Sequence, residues 1–266
     1  MLPALQMVKV DGLRIAWREA GSGSPLVLIH GIGGYSGSWE NQFASFARDY
    51  RVIAWDAPGY GESEALADDE LSVDGYASSL VGLLKALGAE RSHLVGHSLG
   101  AIIISAASQD NAIQSQSLTL LQPVTGSGTL PPDERESVRL ARIGDMKRLG
   151  AVRFAAERGR QILSRSTPAD RIEDAVAVMK QVPEAGYLAA WEMMCRADIF
   201  AVLNESCPTL VICGADDPVS PPATGEAIAA RVSGAQFHRL ADVGHYASIE
   251  APEALDDLIR RFIVSK

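Results

Sequence analysis

The sequence predicts an α/β fold: a mostly parallel sheet of eight strands carrying a helical insertion. Three observations predict it. Short apolar runs alternate with helix-like segments in both halves of the chain, and parallel strands need crossovers of that kind. The alternation stops after Pro123 and resumes at Thr209, with only helical spacing between. Finally, Gly96-His97-Ser98-Leu99-Gly100 stands where a strand gives way to a helix, a turn that projects its serine into the open.

The elements follow in order. Leu5 to Val10 and Leu13 to Arg18 flank Asp11-Gly12, a pair suited to a tight hairpin. Pro25 to His30 reads as a buried strand and Ser38 to Arg48 as a helix. Arg51 to Trp55 is strand, Ser72 to Leu87 helix, Ser92 to His97 strand, Leu99 to Gln109 helix and Ser117 to Leu121 strand. From Leu130 to about Asn204 the segments are helical, punctuated by Pro131-Pro132, Gly150, Gly159, Pro168 and Pro183. Thr209 to Cys213 (strand), Thr224 to Val232 (helix), Gln236 to Leu240 (strand) and Pro252 to Val264 (helix) complete the pattern. Residues 1–129 and 205–266 are therefore expected to form the core, and 130–204 a helical lid over the sheet's carboxyl edge, where open α/β sheets bind ligands.

Composition narrows the function. A net charge of −9 over 266 residues argues against a nucleic-acid footprint, which needs a basic surface. The lid runs against that balance. Pro131 to Phe200 holds twelve Lys+Arg and eleven Asp+Glu, leaving 12 against 22 for the rest of the chain. Solvated, paired helix faces account for such arginines; the sharper alternative is that one or two meet an anionic substrate. Met1 to Val10 lacks a charged start followed by an apolar run, so no secretory signal is expected. No stretch approaches the roughly 18 apolar residues of a spanning helix. The three cysteines, Cys195, Cys207 and Cys213, have no metal-like spacing and an odd count, which fits buried thiols in a reducing cytoplasm.

Ser98 is the candidate nucleophile. Glycines flank it because β-carbons there would collide with backbone, and the helix beginning at Leu99 points its positive end at the site. A serine at a strand–helix turn can also be a mere cap, but the full strand-turn-helix setting favours catalysis. Its hydroxyl needs a base. Of five histidines, His97 should point away from the hydroxyl, His93 begins the strand at the wrong end, and His238 reads as structural within a strand. His30 ends the first parallel strand. His245, in the loop after the last strand, can reach over Ser98 and is the expected base. The orienting acid should stand at another strand end; Asp216 and Asp217 both follow Thr209 to Cys213, whereas Gln122 and Pro123 after the preceding strand cannot serve. Oxyanion donors are expected from the N–H groups of Leu99 and of Ile32 in the turn His30-Gly31-Ile32-Gly33-Gly34. That turn lacks the spacing of a dinucleotide site, and Asp56 belongs to the turn Asp56-Ala57-Pro58-Gly59-Tyr60-Gly61.

These motifs, with Gly214-Ala215-Asp216-Asp217-Pro218 and Gly244-His245, resemble the α/β-hydrolase family over nearly the whole chain. The family register places the acid at Asp217. Serine at position 98 departs from the haloalkane dehalogenases and epoxide hydrolases of this fold, which use aspartate. The carboxyl half is similar to 3-oxoadipate enol-lactonases at Val182-Pro183-Glu184-Ala185-Gly186-Tyr187, Arg196-Ala197-Asp198, Cys207 to Ile212 and Pro221-Pro222. The amino half departs from them at Ala57-Pro58 and at His97.

The resemblance implies an ester or lactone hydrolase acting through an acyl-enzyme on a small carboxylated substrate, without metal or organic cofactor. It gives a use to lid arginines such as Arg196. Gly33, Tyr187 and Trp191 are candidate pocket residues, with Met193 and Met194 nearby, although apolar residues on a helix more often serve packing. Carbon–carbon hydrolases of ring-cleavage products share the fold and residues, and a ligand-binding receptor without turnover is a third reading.

Overall fold

In the computed structural model, which describes residues 1–265, Asp11 and Gly12 adopt φ of 49° and 92°. Those left-handed values close a two-residue hairpin between β1 (Leu5–Val10) and β2 (Leu13–Ala20). The chain then alternates through β3 (Ser24–Ile29), α1 (Glu40–Phe46), β4 (Tyr50–Trp55), α2 (Val73–Ala86), β5 (Arg91–His97), α3 (Leu99–Ala107) and β6 (Gln114–Leu121). Four helices follow: α4 (Pro132–Gln161), α5 (Ala169–Met179), α6 (Glu184–Arg196) and α7 (Ile199–Val202). Strand β7 (Thr209–Gly214), α8 (Pro222–Ala229), β8 (Gln236–Leu240), α9 (Ala247–Glu250) and α10 (Pro252–Val264) complete the chain.

The eight strands form one sheet in the order β1-β2-β4-β3-β5-β6-β7-β8. Only the β1–β2 and β2–β4 pairings are antiparallel; the rest are parallel. This is the mostly parallel, eight-stranded α/β arrangement that the sequence predicts. Strand β3 shows why it is buried on both faces. Leu26 and Leu28 pack with Phe43 of α1 and Leu255 and Ile259 of α10, while Val27 and Ile29 pack with Leu80 of α2 and Ile103 of α3. Continuous apolar runs are the signature of such two-sided strands.

Differences from expectation lie at element ends. Strand β6 starts three residues early because polar Gln114 and Ser115 pair with Arg91 and Ser92, a backbone match that hydropathy does not signal. A 3₁₀ turn, Ser36–Trp39, precedes the shortened α1. His238, expected as structural, is exposed on edge strand β8. The three cysteines are buried and free, and no described helix is long and apolar enough to cross a membrane.

The helices between β6 and β7 enter and leave the sheet side by side. Ile199 N–H donates to Thr125 O (2.9 Å), Gly128 N–H to Ala197 O (2.8 Å) and Ser127 N–H to Met194 O (3.0 Å). Gly126 (φ 80°) and Gly128 approach the Arg196 and Ala197 carbonyls so closely that a β-carbon on either would collide. Within α4 the backbone leaves helical geometry at Gly150, with φ 70° and ψ 157°, values that suit glycine.

Candidate active site

Ser98 sits between β5 and α3 with φ 53° and ψ −112°, a conformation that a non-glycine residue holds only where the surroundings enforce it. The surroundings are its glycines. A β-carbon at Gly96 would strike the Gly100 carbonyl, and one at Gly100 would strike the Ile29 carbonyl. Strand, turn and helix thus close on one another and leave Ser98 on the wall of a cavity.

Three side chains meet there. Ser98 Oγ lies 2.9 Å from His245 Nε2, and His245 Nδ1 lies 2.7 Å from Asp217 Oδ2. The carboxylate has only acceptors, so Nδ1 carries the proton and Nε2 is free to accept from the serine. The other Asp217 oxygen accepts from Val219 N–H (2.7 Å) and Ser220 N–H (2.9 Å), which fixes its orientation. Asp216, the neighbour left open on the residues alone, is exposed and accepts instead from Ser164 Oγ at 2.6 Å.

The turn beside Ser98 is tied down from below. His30 donates from Nδ1 to Gly31 O (2.8 Å) and accepts Ala57 N–H at Nε2 (3.0 Å), so both ring nitrogens are committed. Burial holds its pKa below the usual histidine value. Gly34 N–H donates to Gly31 O (2.9 Å), and Tyr60 Oη donates to Ile32 O (3.1 Å). This turn leaves Ile32 on the wall of the same cavity as Ser98. Leu99 is fully buried and is not part of that wall; its N–H is the first of α3 and has no intrahelical acceptor.

His97, expected to point away from the Ser98 hydroxyl, bonds to the His245 loop and makes no hydrogen bond to Ser98. Its ring packs 5.1 Å from that of His245 and 5.0 Å from that of Tyr246. Its Nε2 donates to His245 O at 2.7 Å. Burial, and then the facing His245, hold its pKa well below the usual value, so it serves here as a neutral donor.

The cavity over Ser98 measures about 230 Å³, somewhat below the roughly 300–1,000 Å³ typical of pockets for drug-sized ligands. Gly33, Tyr187 and Trp191 line it, as does Met194; Met193 does not. The expectation for Arg196 is corrected. Arg196 is exposed on the outer side of α6, in a surface groove with Arg135 and Glu136, because the helix turns its tryptophan and tyrosine inward instead. The arginines that reach the cavity are Arg142 and Arg158 of α4. Arg142 donates to Tyr187 Oη (2.7 Å) and lies over the Trp191 ring. Among the described residues neither arginine forms an ion pair, and the Arg158 side chain makes no hydrogen bond. Burial, and then the charge of Arg142, push the Arg158 pKa down.

Sequence reasoning raised one or two lid arginines but named neither Arg142 nor Arg158, and it missed the roles of Gln122 and Glu250, whose side chains brace the His245 loop. Arg158 had one local signal: no carboxylate stands three or four residues away on either side, unlike the arginines that form helix-surface pairs. Among the described residues no group of three or more His, Cys, Asp or Glu side chains is placed to hold a metal ion.

The family model described as alpha/beta hydrolase fold matches residues 24–252. The chain belongs to this family. An esterase from Thermogutta terrifontis, solved with malate bound, is similar to this α/β hydrolase at 28% identity and a TM-score of 0.84, covering 98% of each chain. A 2-hydroxy-6-oxo-6-phenylhexa-2,4-dienoate hydrolase of Burkholderia cepacia is 26% identical over 96% of this chain and 93% of its own length. The enol-lactonase of Burkholderia xenovorans LB400 has a TM-score of 0.83 at 22% identity, covering 97% of this chain and all of that one. At that identity the last comparison speaks for the fold alone.

Proposed function

We propose that this α/β hydrolase is a serine hydrolase that opens an ester or lactone of a small, carboxylated substrate through an acyl-enzyme. The observation that carries the reading is the relay from Ser98 Oγ through the His245 ring to the buried Asp217 carboxylate. In the mechanism, His245 takes the Ser98 proton as Oγ bonds to the carbonyl carbon, and it returns that proton to the leaving oxygen. Water, deprotonated by the same nitrogen, then releases the acid and restores the serine. The N–H groups of Ile32 and Leu99 are the expected oxyanion donors. The helices at 130–204 act as the lid, and no metal or organic cofactor enters any step.

The carboxylate in the substrate is argued from Arg142 and Arg158. Both guanidinium groups are half-buried at the cavity wall and neither has a carboxylate partner, so an incoming anion can take a charge-assisted hydrogen bond that no protein carboxylate already occupies. Gly33, Tyr187 and Trp191 supply the apolar wall. The malate in the Thermogutta terrifontis esterase supports a ligand of this class.

A second reading is favoured by the Burkholderia cepacia relative: the same relay cleaving a carbon–carbon bond in a ring-cleavage diketo acid. Steady-state turnover of a p-nitrophenyl ester, a carboxylated enol-lactone and such a diketo acid, each repeated with Ser98→Ala, tests both. Preference for the lactone supports the first reading and preference for the diketo acid the second. Near-normal turnover by Ser98→Ala would sink both, because loss of the nucleophile should cost several orders of magnitude.

A further inference from the structure

The loop that carries His245 is held by more than the sheet. Glu250, in the short helix α9 just beyond it, accepts from the N–H groups on either side of the histidine: Gly244 at 2.9 Å and Tyr246 at 2.9 Å. The same carboxylate accepts from Ser164 N–H (2.9 Å) and Thr167 Oγ (2.7 Å) in the turn between α4 and α5. The N–H of His245 itself donates to Ile162 O at 2.7 Å. All three successive backbone donors around the candidate base therefore end on Glu250 or on the helical insertion.

The approach is close enough to dictate sequence. A β-carbon on Gly244 would collide with Ile162 O, the Leu163 carbonyl carbon and Ser164 N. Other bonds reach from the same turn to the neighbouring loops, from Ser164 Oγ to Asp216 (2.6 Å) and from Ser166 Oγ to Asp242 O (3.3 Å). Ile162 N–H in turn donates to Arg158 O at 3.2 Å. Two backbone hydrogen bonds thus join the unpaired arginine of the cavity to the candidate base.

Resting on the hydrolytic reading of Ser98, His245 and Asp217, we propose that Glu250 is a positioning residue: it fixes His245 over Ser98 by binding the base loop to the α4–α5 turn. The four donors converge on one carboxylate, whose Oε2 takes three of them and Oε1 the fourth. An amide in its place keeps an acceptor for three and opposes only Tyr246 N–H. Truncation leaves all four without their acceptor and frees the loop. The consequence falls on proton transfer, which needs the base within hydrogen-bond reach, rather than on substrate affinity.

The test follows p-nitrophenyl acetate turnover and covalent labelling of Ser98 by a fluorophosphonate in the wild type, Glu250→Ala, Glu250→Gln and Thr167→Val, with the melting temperature of each. Glu250→Ala should lower kcat and the labelling rate by at least about tenfold with KM changed by less than about twofold, and Glu250→Gln should recover most of the loss. A folded Glu250→Ala protein that labels and turns over like the wild type overturns the proposal. If that variant does not fold, Thr167→Val decides. A fall of about threefold in kcat at unchanged KM supports the role, and parity with the wild type overturns it. Absence of Ser98 labelling and turnover in the wild type itself is a different failure, because it removes the hydrolytic reading and this proposal with it.

Discussion

Arg142 covers the indole of Trp191, its guanidinium carbon 4.7 Å from the ring centroid. The contact holds the charge at the cavity wall without neutralising it, since a cation over an aromatic face keeps its hydrogen-bonding capacity toward an anion. Arg142→Gln and Arg158→Gln should each raise KM for a carboxylated ester by about 10- to 100-fold, the worth of one charge-assisted hydrogen bond. The neutral methyl ester of the same acid should be turned over as before. Arg196→Gln should change neither. Equal losses on charged and neutral substrates would show that the two arginines serve packing instead.

The two adjacent aspartates should separate cleanly. Asp217→Asn presents an amide to His245 Nδ1 and disturbs the tautomer, so kcat should fall by about 10³- to 10⁴-fold. Asp216→Asn keeps an acceptor for Ser164 Oγ and should stay close to wild type. Comparable losses in both would place the orienting acid in doubt, and steady-state kinetics at neutral pH suffice to tell.

Asp256, buried in α10, accepts from Gln42 Nε2 at 3.0 Å, and burial pushes its pKa up from 3.8 to about 6. Between about pH 3.8 and 6 the folded state therefore holds a proton that the unfolded chain releases. Stability from this group is fully present below the unfolded pKa and is lost as pH rises through the folded one. Asp256→Asn should raise the urea unfolding free energy near neutral pH by roughly 1–3 kcal/mol, with the gap to wild type closing as pH falls toward 4. A gap that is constant with pH would refute this origin.

The thiols should be silent in the folded protein. Burial pushes Cys207 to about 11 and Cys213 to about 12, and raises Cys195 as well, so the reactive thiolate is scarce near neutral pH. A chromogenic disulfide reagent should react with none of the three before urea is added, and with all three afterwards. Fast reaction of one in the native protein would contradict its burial.

The sheet was legible in the sequence because strands such as Leu26 to Ile29 carry their burial in consecutive residues, and turns such as Asp11-Gly12 demand particular residue types. The meeting of Ser98 with His245 was legible for a related reason: both stand at strand ends, and a parallel sheet gathers its strand ends along one edge. What surrounds them was not. Which arginine of the insertion faces inward depends on how α4 bends at Gly150 and how α6 turns about its axis, and Arg196 looked as suitable as Arg158 until those helices were placed. The packing of the His97 ring against that of His245 was equally invisible, since nothing local in the sequence brings those two segments together. Gln122 was weighed only as a failed acid; its amide bridges Gly244 O and Ala247 N–H, a match between segments more than a hundred residues apart that no local pattern announces.

The paired strands of backbone at Thr125–Gly128 and Met194–Ile199 have a consequence for how such a chain can diversify. The polypeptide departs from the sheet and returns to it at points joined by three hydrogen bonds. Because the two ends are already joined, lengthening the excursion adds little closure entropy, about 0.6 kcal/mol for each doubling of a flexible loop. Helices can be exchanged, lengthened or trimmed there while the strand ends bearing Ser98, Asp217 and His245 keep their register. Such an exchange must re-create the contacts the excursion makes with the platform, among them the α4–α5 turn against Gly244 and Gly186 of α6 against the Gly59 carbonyl.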